Sequence, residues 1–157
     1  EGQPIKSRNI REALSQGDIP NCNRFLGRTF SMRGTVVAGD QRGRELGFPT
    51  ANMDLHGSRL LPGDGIYATW AVIDGKRLPS ATSIGIRPTF GLSERLVEVH
   101  VIDFSGDLYG KEVDVEFVDK IRDQQKFSAV DELIVQMDKD VADARVVLDR
   151  DQGAAVA

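Results

Sequence analysis

The chain has 157 residues with 24 acidic and 20 basic side chains, which gives a net charge of −4, and 40% of its residues are hydrophobic. This length and composition fit one domain with a hydrophobic core plus a short extra segment. The missing basic surplus argues against nucleic-acid binding, and the absence of a long apolar run or a leader predicts a soluble protein of the cytoplasm. The single cysteine, Cys22, excludes an internal disulfide.

The first 27 residues predict two short helices. Apolar residues recur at helical spacing over 7–16 and the pattern stops at Gly17. Asp18 and Pro20 mark the start of a second helix, and Gly27 marks its end. Such short helices bury little on their own. Residues 1–27 are therefore a linker, a cap on the main domain, or the remnant of an upstream module, and we favour the last.

The central part of the chain reads as β-structure. Five runs rich in β-branched and aromatic residues are separated by turn residues, at 30–37, 66–73, 77–84, 96–104 and 113–118. Asp74 and Gly75 between two of these runs are typical of a two-residue hairpin turn, so the sheet is mostly antiparallel. Short strands without intervening helices favour one curled sheet of about six strands, a small barrel, over a sandwich.

A long helix is predicted after the last strand. Ser128 stands at capping distance from Asp131, and apolar residues then follow at helical spacing up to Leu148. This stripe predicts that the helix packs on the barrel. The domain therefore covers residues 28–150, and we expect residues 151–157 to be a frayed tail.

The segment 39–52 contains three closely spaced glycines. Gly39, Gly43 and Gly47 leave backbone amides open to a ligand, and Arg42 and Arg44 add positive charge that suits a phosphate. The alternative is a solvent-exposed connection with hydrated arginines. The segment matches neither the Walker nor the dinucleotide-binding fingerprint.

The end of this segment offers two neutral oxygen ligands. Pro49 favours an extended backbone, in which Thr50 and Asn52 point to the same side. A hydroxyl and an amide oxygen suit Mg²⁺ when the ligand supplies the negative charge. A local turn in which these side chains bind their own backbone is the alternative.

The strand at 96–104 alternates between valines and polar residues. Val97, Val99 and Val101 form one face, and Glu98 and His100 form the other, where Glu98 is a candidate base. Simple solvent exposure is the competing interpretation.

Aromatic and basic side chains follow farther along the chain. Tyr109 is available to stack on a ring. Arg122 and Phe127 could clamp a flat heterocycle, although Phe127 also suits burial beside the long helix.

The ordered set of motifs resembles the riboflavin kinase family over about residues 28–145. The motifs are Gly34-Thr35-Val36-Val37, Gly39-Asp40, Gly43-Arg44, Leu46-Gly47-Phe48-Pro49-Thr50-Ala51-Asn52, Ile84-Gly85, Arg87-Pro88-Thr89-Phe90, Glu98-Val99-His100, Asp107-Leu108-Tyr109-Gly110 and Arg122 with Lys126-Phe127. The resemblance implies a mainly β fold, a six-stranded antiparallel Greek-key barrel with a long C-terminal helix and two short N-terminal helices. It also implies transfer of the γ-phosphoryl group of ATP to the ribityl 5′-hydroxyl of riboflavin, giving FMN.

The resemblance assigns roles to matching positions. It implies Glu98 as the general base, and Thr50 and Asn52 as the Mg²⁺ and phosphate contacts. The positions implied on the nucleotide side are Gly39, Arg44, Gly47, Thr50, Ala51, Val101, Asp103 and Tyr109. Those implied on the flavin side are Arg122, Gln125 and Phe127.

The leading helices resemble the stretch that joins the FMN adenylyltransferase half of bacterial bifunctional enzymes to the kinase half. This implies an N-terminal adenylyltransferase module as the partner of the present chain. The sequence departs from the family pattern at Lys6-Ser7-Arg8-Asn9, at Ala38 and at Gln124, where glutamate is frequent. Two further hypotheses are a non-catalytic flavin- or nucleotide-binding barrel and a fragment that is inactive without the upstream module.

Overall fold

The computed structural model describes residues 3–37, 50–55, 60–89, 92–104 and 107–156. Its described helices are α1 (Gln3–Ser15), α2 (Ile19–Leu26) and α3 (Val130–Val156). The strands are β1 (Ser31–Val37), β2 (Ala51–Leu55), β3 (Gly65–Ile73), β4 (Lys76–Thr89), β5 (Leu92–Val101) and β6 (Glu112–Arg122). The predicted elements are thus present, and β2 adds a strand within the segment that the sequence marked only as extended.

The six strands form a closed antiparallel barrel in the order β1-β2-β5-β4-β3-β6. Strands β3, β4 and β5 follow one another as neighbours, and β6 returns to lie beside β3, which is the Greek-key arrangement. The predicted hairpin is confirmed, because Asp74 and Gly75 have φ of 52° and 78° and join the paired residues Ile73 and Lys76.

The alternation of the strands separates an inner from an outer face. Val97, Val99 and Val101 lie in the barrel core with Tyr67 and Phe117, as the pattern of β5 predicts. On the outer face, α3 covers a second cluster formed by Ala68, Trp70, Ala81, Ile102, Ala144 and Leu148. The outer face of β5 carries Glu98 and His100, both half-buried.

The two N-terminal helices are part of the barrel core. Leu14, Ile19 and Cys22 are fully buried in the same cluster as the barrel interior. Asn23 connects α2 to the barrel, since its amide donates to the carbonyl oxygen of Phe117 at 3.0 Å and accepts from the Phe30 amide at 2.8 Å. These helices therefore cap one end of the barrel, and their role in joining an upstream module stays a prediction.

The C-terminal segment differs from the expected frayed tail. Helix α3 continues to Val156, and the Trp70 indole donates a hydrogen bond to Asp151 at 2.9 Å. Arg77 lies over the Trp70 ring, with its guanidinium 4.5 Å from the ring centre. The prediction that the chain is frayed from Asp151 onward is wrong at this residue. Asp151 is a polar residue outside the apolar stripe, and its hydrogen bond with Trp70 holds it against the barrel.

The contact of α1 with the barrel is tight at Gly63. The Gly63 amide donates to the Leu14 carbonyl, and a Cβ at Gly63 would lie 2.3 Å from the Ser15 carbonyl oxygen. The Tyr67 hydroxyl donates to the Gly63 carbonyl, and burial raises the pKa of Tyr67 to about 12, so this donor stays protonated over the physiological pH range.

We expect Gly63→Ala to lower the free energy of unfolding by about 1–3 kcal/mol, because the backbone of α1 must shift to admit the methyl group. Urea unfolding measures this difference. Gly85→Ala is the comparison, since the nearest atoms to its Cβ would belong to the Gln124 side chain, at 3.1 Å and beyond, and not to the backbone. Equal stability of the Gly63 variant and the wild type would contradict the tight contact.

Candidate active site

The site is built on the outer face of strands β2, β5 and β4. Asn52 of β2 stands directly opposite Glu98 of β5, and Glu98 stands directly opposite Ser83 of β4. Directly opposite residues of antiparallel strands point to the same face, with Cβ atoms about 4.5–5.5 Å apart. The sheet therefore brings the predicted base and the predicted amide ligand side by side.

Asn52 is 6% exposed, whereas Glu98 is half-buried. Thr50 is half-buried and directly precedes β2. Ala51 pairs with Val99, and its side chain packs against the barrel core. The site thus presents a carboxylate and an amide on its outer face, in partial shelter from water.

A cleft of about 480 Å³ opens beside Glu98. Its walls are formed by Ser83, Gly85 and Ile86 of β4, Leu96 and Glu98 of β5, Asp64, and residues 124–126. This volume lies in the range of small-molecule sites, and Ile86 and Leu96 give the cleft an apolar wall beside its polar groups.

Residues 123–127, the cleft loop, connect β6 toward α3. Gln124 fixes this loop to β4, because its Nε2 donates to the Ser83 hydroxyl and to the Ile84 carbonyl, each at 2.9 Å. Gly85 leaves the room that the Gln124 side chain occupies. The glutamine at this departure from the family pattern therefore supplies two donated hydrogen bonds, of which a carboxylate could not make the one to the carbonyl.

Two ion pairs flank the cleft. Arg95 donates to Asp64 at 2.7 Å and to the Pro62 carbonyl at 2.6 Å, which holds Asp64 at the rim. At the start of the loop, the hydrogen bond from Lys120 lowers the pKa of the exposed Asp123.

The predicted flavin-side residues lie at or near the loop. Gln125 lines the cleft. Arg122 is bound to Asp140 of α3 through its Nε and Nη2, both at 2.8 Å. Phe127 is half-buried, with its ring centre 5.8 Å from the Arg122 guanidinium carbon.

The predicted nucleotide-side residues are only partly brought to the site. Gly39, Arg44 and Gly47 lie outside the described residues. The Val101 side chain is buried in the barrel core, so only its backbone could contact a nucleotide. Asp103 is exposed with φ of 56° and pairs with Arg145, and Tyr109 is 66% exposed.

Sequence reasoning assigned no role in the site to Ser83, Gly85, Leu96 and Asp140. The signal for the first two was available, because small residues alternate outward along β4 opposite Glu98. Asp140 is an acidic residue between apolar positions of the helical stripe, which is a signal for a buried partner.

On this closed barrel an outward carboxylate stands beside a buried amide and lines a cleft, an arrangement typical of a small-molecule site. A family model described as flavokinase, riboflavin kinase, matches residues 26–148. The chain belongs to the riboflavin kinase family.

Curated relatives agree with this family. The chain is 38% identical over 142 residues to a bifunctional riboflavin kinase/FMN adenylyltransferase of Listeria monocytogenes, covering 90% of this chain and 45% of that protein. It is 37% identical over 147 residues to the Bacillus subtilis protein of the same description, covering 92% and 46%. The chain thus spans about half the length of these relatives.

Solved structures share the fold. A riboflavin kinase of Trypanosoma brucei has a TM-score of 0.57 and 29% identity, covering 78% of this chain and 81% of that one. A Streptococcus pneumoniae chain described as a macrolide-efflux protein has a TM-score of 0.84 and 37% identity, covering 88% and 46%.

Among the described residues, α3 and the other helices are too short or too polar to cross a bilayer.

Proposed function

We propose that this chain is a riboflavin kinase that transfers the γ-phosphoryl group of ATP to the ribityl 5′-hydroxyl of riboflavin, giving FMN and ADP. Family membership supports the reaction. The observation that carries it is the position of Glu98, opposite Asn52 and at the wall of a cleft. A protein that only binds flavin does not need a carboxylate at this place.

The geometry suits a general base that acts late. Glu98 accepts the proton of the ribityl hydroxyl while the oxygen of that hydroxyl forms the new bond to the γ-phosphorus. The bond from this phosphorus to the bridging oxygen breaks, and its electron pair leaves with ADP. Phosphoryl transfer depends mainly on alignment and on charge neutralisation, so one well-placed carboxylate suffices from the protein.

The residues present fit Mg²⁺. Asn52 places an amide on the outer face beside Glu98, and Thr50 precedes it by two residues. These two would hold the ion, which neutralises charge on the phosphates when bound. Neutral oxygen ligands are appropriate here because the phosphates themselves carry the negative charge.

The two sides of the site divide between nucleotide and flavin. We assign ATP contacts to Gly39, Arg44, Gly47, Thr50, Ala51, Asp103, Tyr109 and the backbone of Val101. We assign the flavin to the cleft, with Gln125 and Phe127 beside it and Arg122 behind the loop. Ile86 and Leu96 supply the apolar surface that a flat heterocycle needs.

FMN formation by the isolated chain with riboflavin, ATP and Mg²⁺ tests the proposal, and we expect turnover. Riboflavin binding without FMN would favour the non-catalytic barrel. Neither binding nor turnover would favour a fragment that needs an upstream module. We further propose that the parent protein carries an N-terminal FMN adenylyltransferase module, as the names and lengths of the relatives suggest. We also propose that it works in the cytoplasm.

We expect Gln124→Leu to weaken riboflavin binding about tenfold, because two hydrogen bonds that fix the cleft loop to β4 are lost. Fluorescence titration of riboflavin measures the change. Gln152→Leu, at an exposed position of α3, is the control and should bind riboflavin as the wild type does. Unchanged affinity of the Gln124 variant would show that this anchor does not shape the cleft.

A further inference from the structure

Arg122 and Asp140 form a sheltered two-bond ion pair between the end of β6 and α3. Both bonds measure 2.8 Å, and the side chains are 17% and 8% exposed. Gln136 donates a third bond to the same carboxylate at 2.9 Å. Asp140 is the one charged residue that is buried in the part of the chain that the structure describes.

The same arginine touches both ends of the cleft loop. Its Nη1 donates to the Asp123 carbonyl at 3.0 Å, at the start of the loop. Its guanidinium lies over the ring of Phe127, at the end of the loop. Residues 124–126 between these two contacts line the cleft. One guanidinium, oriented by α3, therefore holds the loop at its start and at its end.

Stability alone is a weak reason for such a pair. Burying two charges costs solvation free energy that their attraction often only balances, so apolar replacements of both partners are frequently neutral or stabilising. The planar fork of arginine, held by two bonds, instead fixes the direction in which the remaining N–H groups and the flat face point.

We propose that Asp140 is a positioning residue for riboflavin, which acts through Arg122 to hold the cleft loop in its binding conformation. This inference rests on the proposed function for its ligand. Asp140 touches no cleft-lining residue in any described contact, so its effect on the flavin must pass through Arg122. Nucleotide binding, which is assigned to β2 and the glycine-rich segment, does not depend on it.

The test is the double variant Arg122→Met/Asp140→Leu, which removes both charges together and leaves no buried charge unpaired. We expect a folded protein whose Kd and KM for riboflavin rise about tenfold or more, because substrate positioning is lost. The KM for ATP should change less than threefold. Without any ligand, trypsin should cleave after Lys126, an exposed residue of the loop, at least about tenfold faster.

Asp151→Leu is the matched control on the same helix. It removes the contacts of α3 with Trp70 and Arg77 far from the cleft loop. We expect it to leave the riboflavin constants and the cleavage after Lys126 unchanged. An equal effect of this control would overturn the proposal, because general loosening of α3 would then explain both the weaker riboflavin binding and the faster cleavage.

A folded double variant with unchanged riboflavin affinity and unchanged cleavage would also overturn the proposal, as would equal losses for riboflavin and ATP. If the wild type makes no FMN, the proposed function fails separately, and cleavage after Lys126 still decides whether the pair orders the loop. If the double variant does not fold, Arg122→Lys replaces it. This variant keeps the charge but loses the fork, so wild-type behaviour would contradict the proposal.

Discussion

Glu98→Gln is expected to lower the rate of FMN formation by at least about 100-fold, while riboflavin still binds. The amide keeps the size and the hydrogen-bonding reach of the side chain but cannot take up the proton of the ribityl hydroxyl. The loss should therefore appear in kcat, and Glu98→Ala should show the same loss. Steady-state rates at saturating ATP and riboflavin, together with fluorescence titration of riboflavin, measure both effects.

The control for this variant is Glu116→Gln, which changes an outward glutamate of β6 that pairs with Arg77 far from Asn52. Its rate should stay within about twofold of the wild type, as is usual for an exposed surface charge. Unchanged turnover of Glu98→Gln would remove the base from the mechanism. It would also favour the hypothesis that another group accepts the proton.

Asn52→Leu should weaken MgATP binding by at least about tenfold, with less than a threefold change for riboflavin. The leucine has a similar volume and can stay buried, but it lacks the oxygen that we assign to the ion. Calorimetric titration with an MgATP analogue that cannot transfer its phosphoryl group measures the first effect. Riboflavin fluorescence measures the second.

Asp54→Ala is the matched control for Asn52, because it changes the next residue of β2 on the same outer face, where the side chain is exposed. MgATP binding should be unaffected by this change. Equal weakening of both ligands by Asn52→Leu would contradict the assignment, since it would indicate loss of local structure at β2 rather than loss of an ion ligand.

Much of the fold could be predicted because its signals are local. The turn at Asp74 and Gly75 needs only two residues with positive φ. Asp18 accepts the Asn21 amide at the start of α2, and Gly27 ends this helix with φ of 74°, as their residue types predict. Local capping and alternation are encoded within a few residues.

The pairing partners could not be predicted, because they join distant parts of the chain. Strand β2 has only five residues and follows a glycine-rich segment, so its pattern does not select β5 as neighbour. The docking of α1 and α2 into the barrel end depends on a matching apolar opening, which no pattern within residues 1–27 reveals.

Some features of the candidate site could likewise be predicted from local sequence, and others could not. The outward direction of Glu98 followed from the alternation of β5, and the structure confirms it. Asn52 was predicted as an oxygen ligand from the pattern after Pro49, but only the family resemblance placed it in the same site as Glu98, its neighbour across the sheet. The attachment of Arg122 to Asp140, 18 residues away in sequence, requires the path of α3 and was not predictable.

The N-terminal cap also determines how motion would pass through a longer chain. Because Leu14 and Ile19 are buried in the barrel core, a domain attached ahead of α1 would be joined through packed helices and not through a flexible linker. The close contact of Ser15 with Gly63 would keep the end of α1 against the barrel. Removal of residues 1–27 would open this end of the barrel and expose the aromatic side chains of Phe30 and Phe117 to solvent.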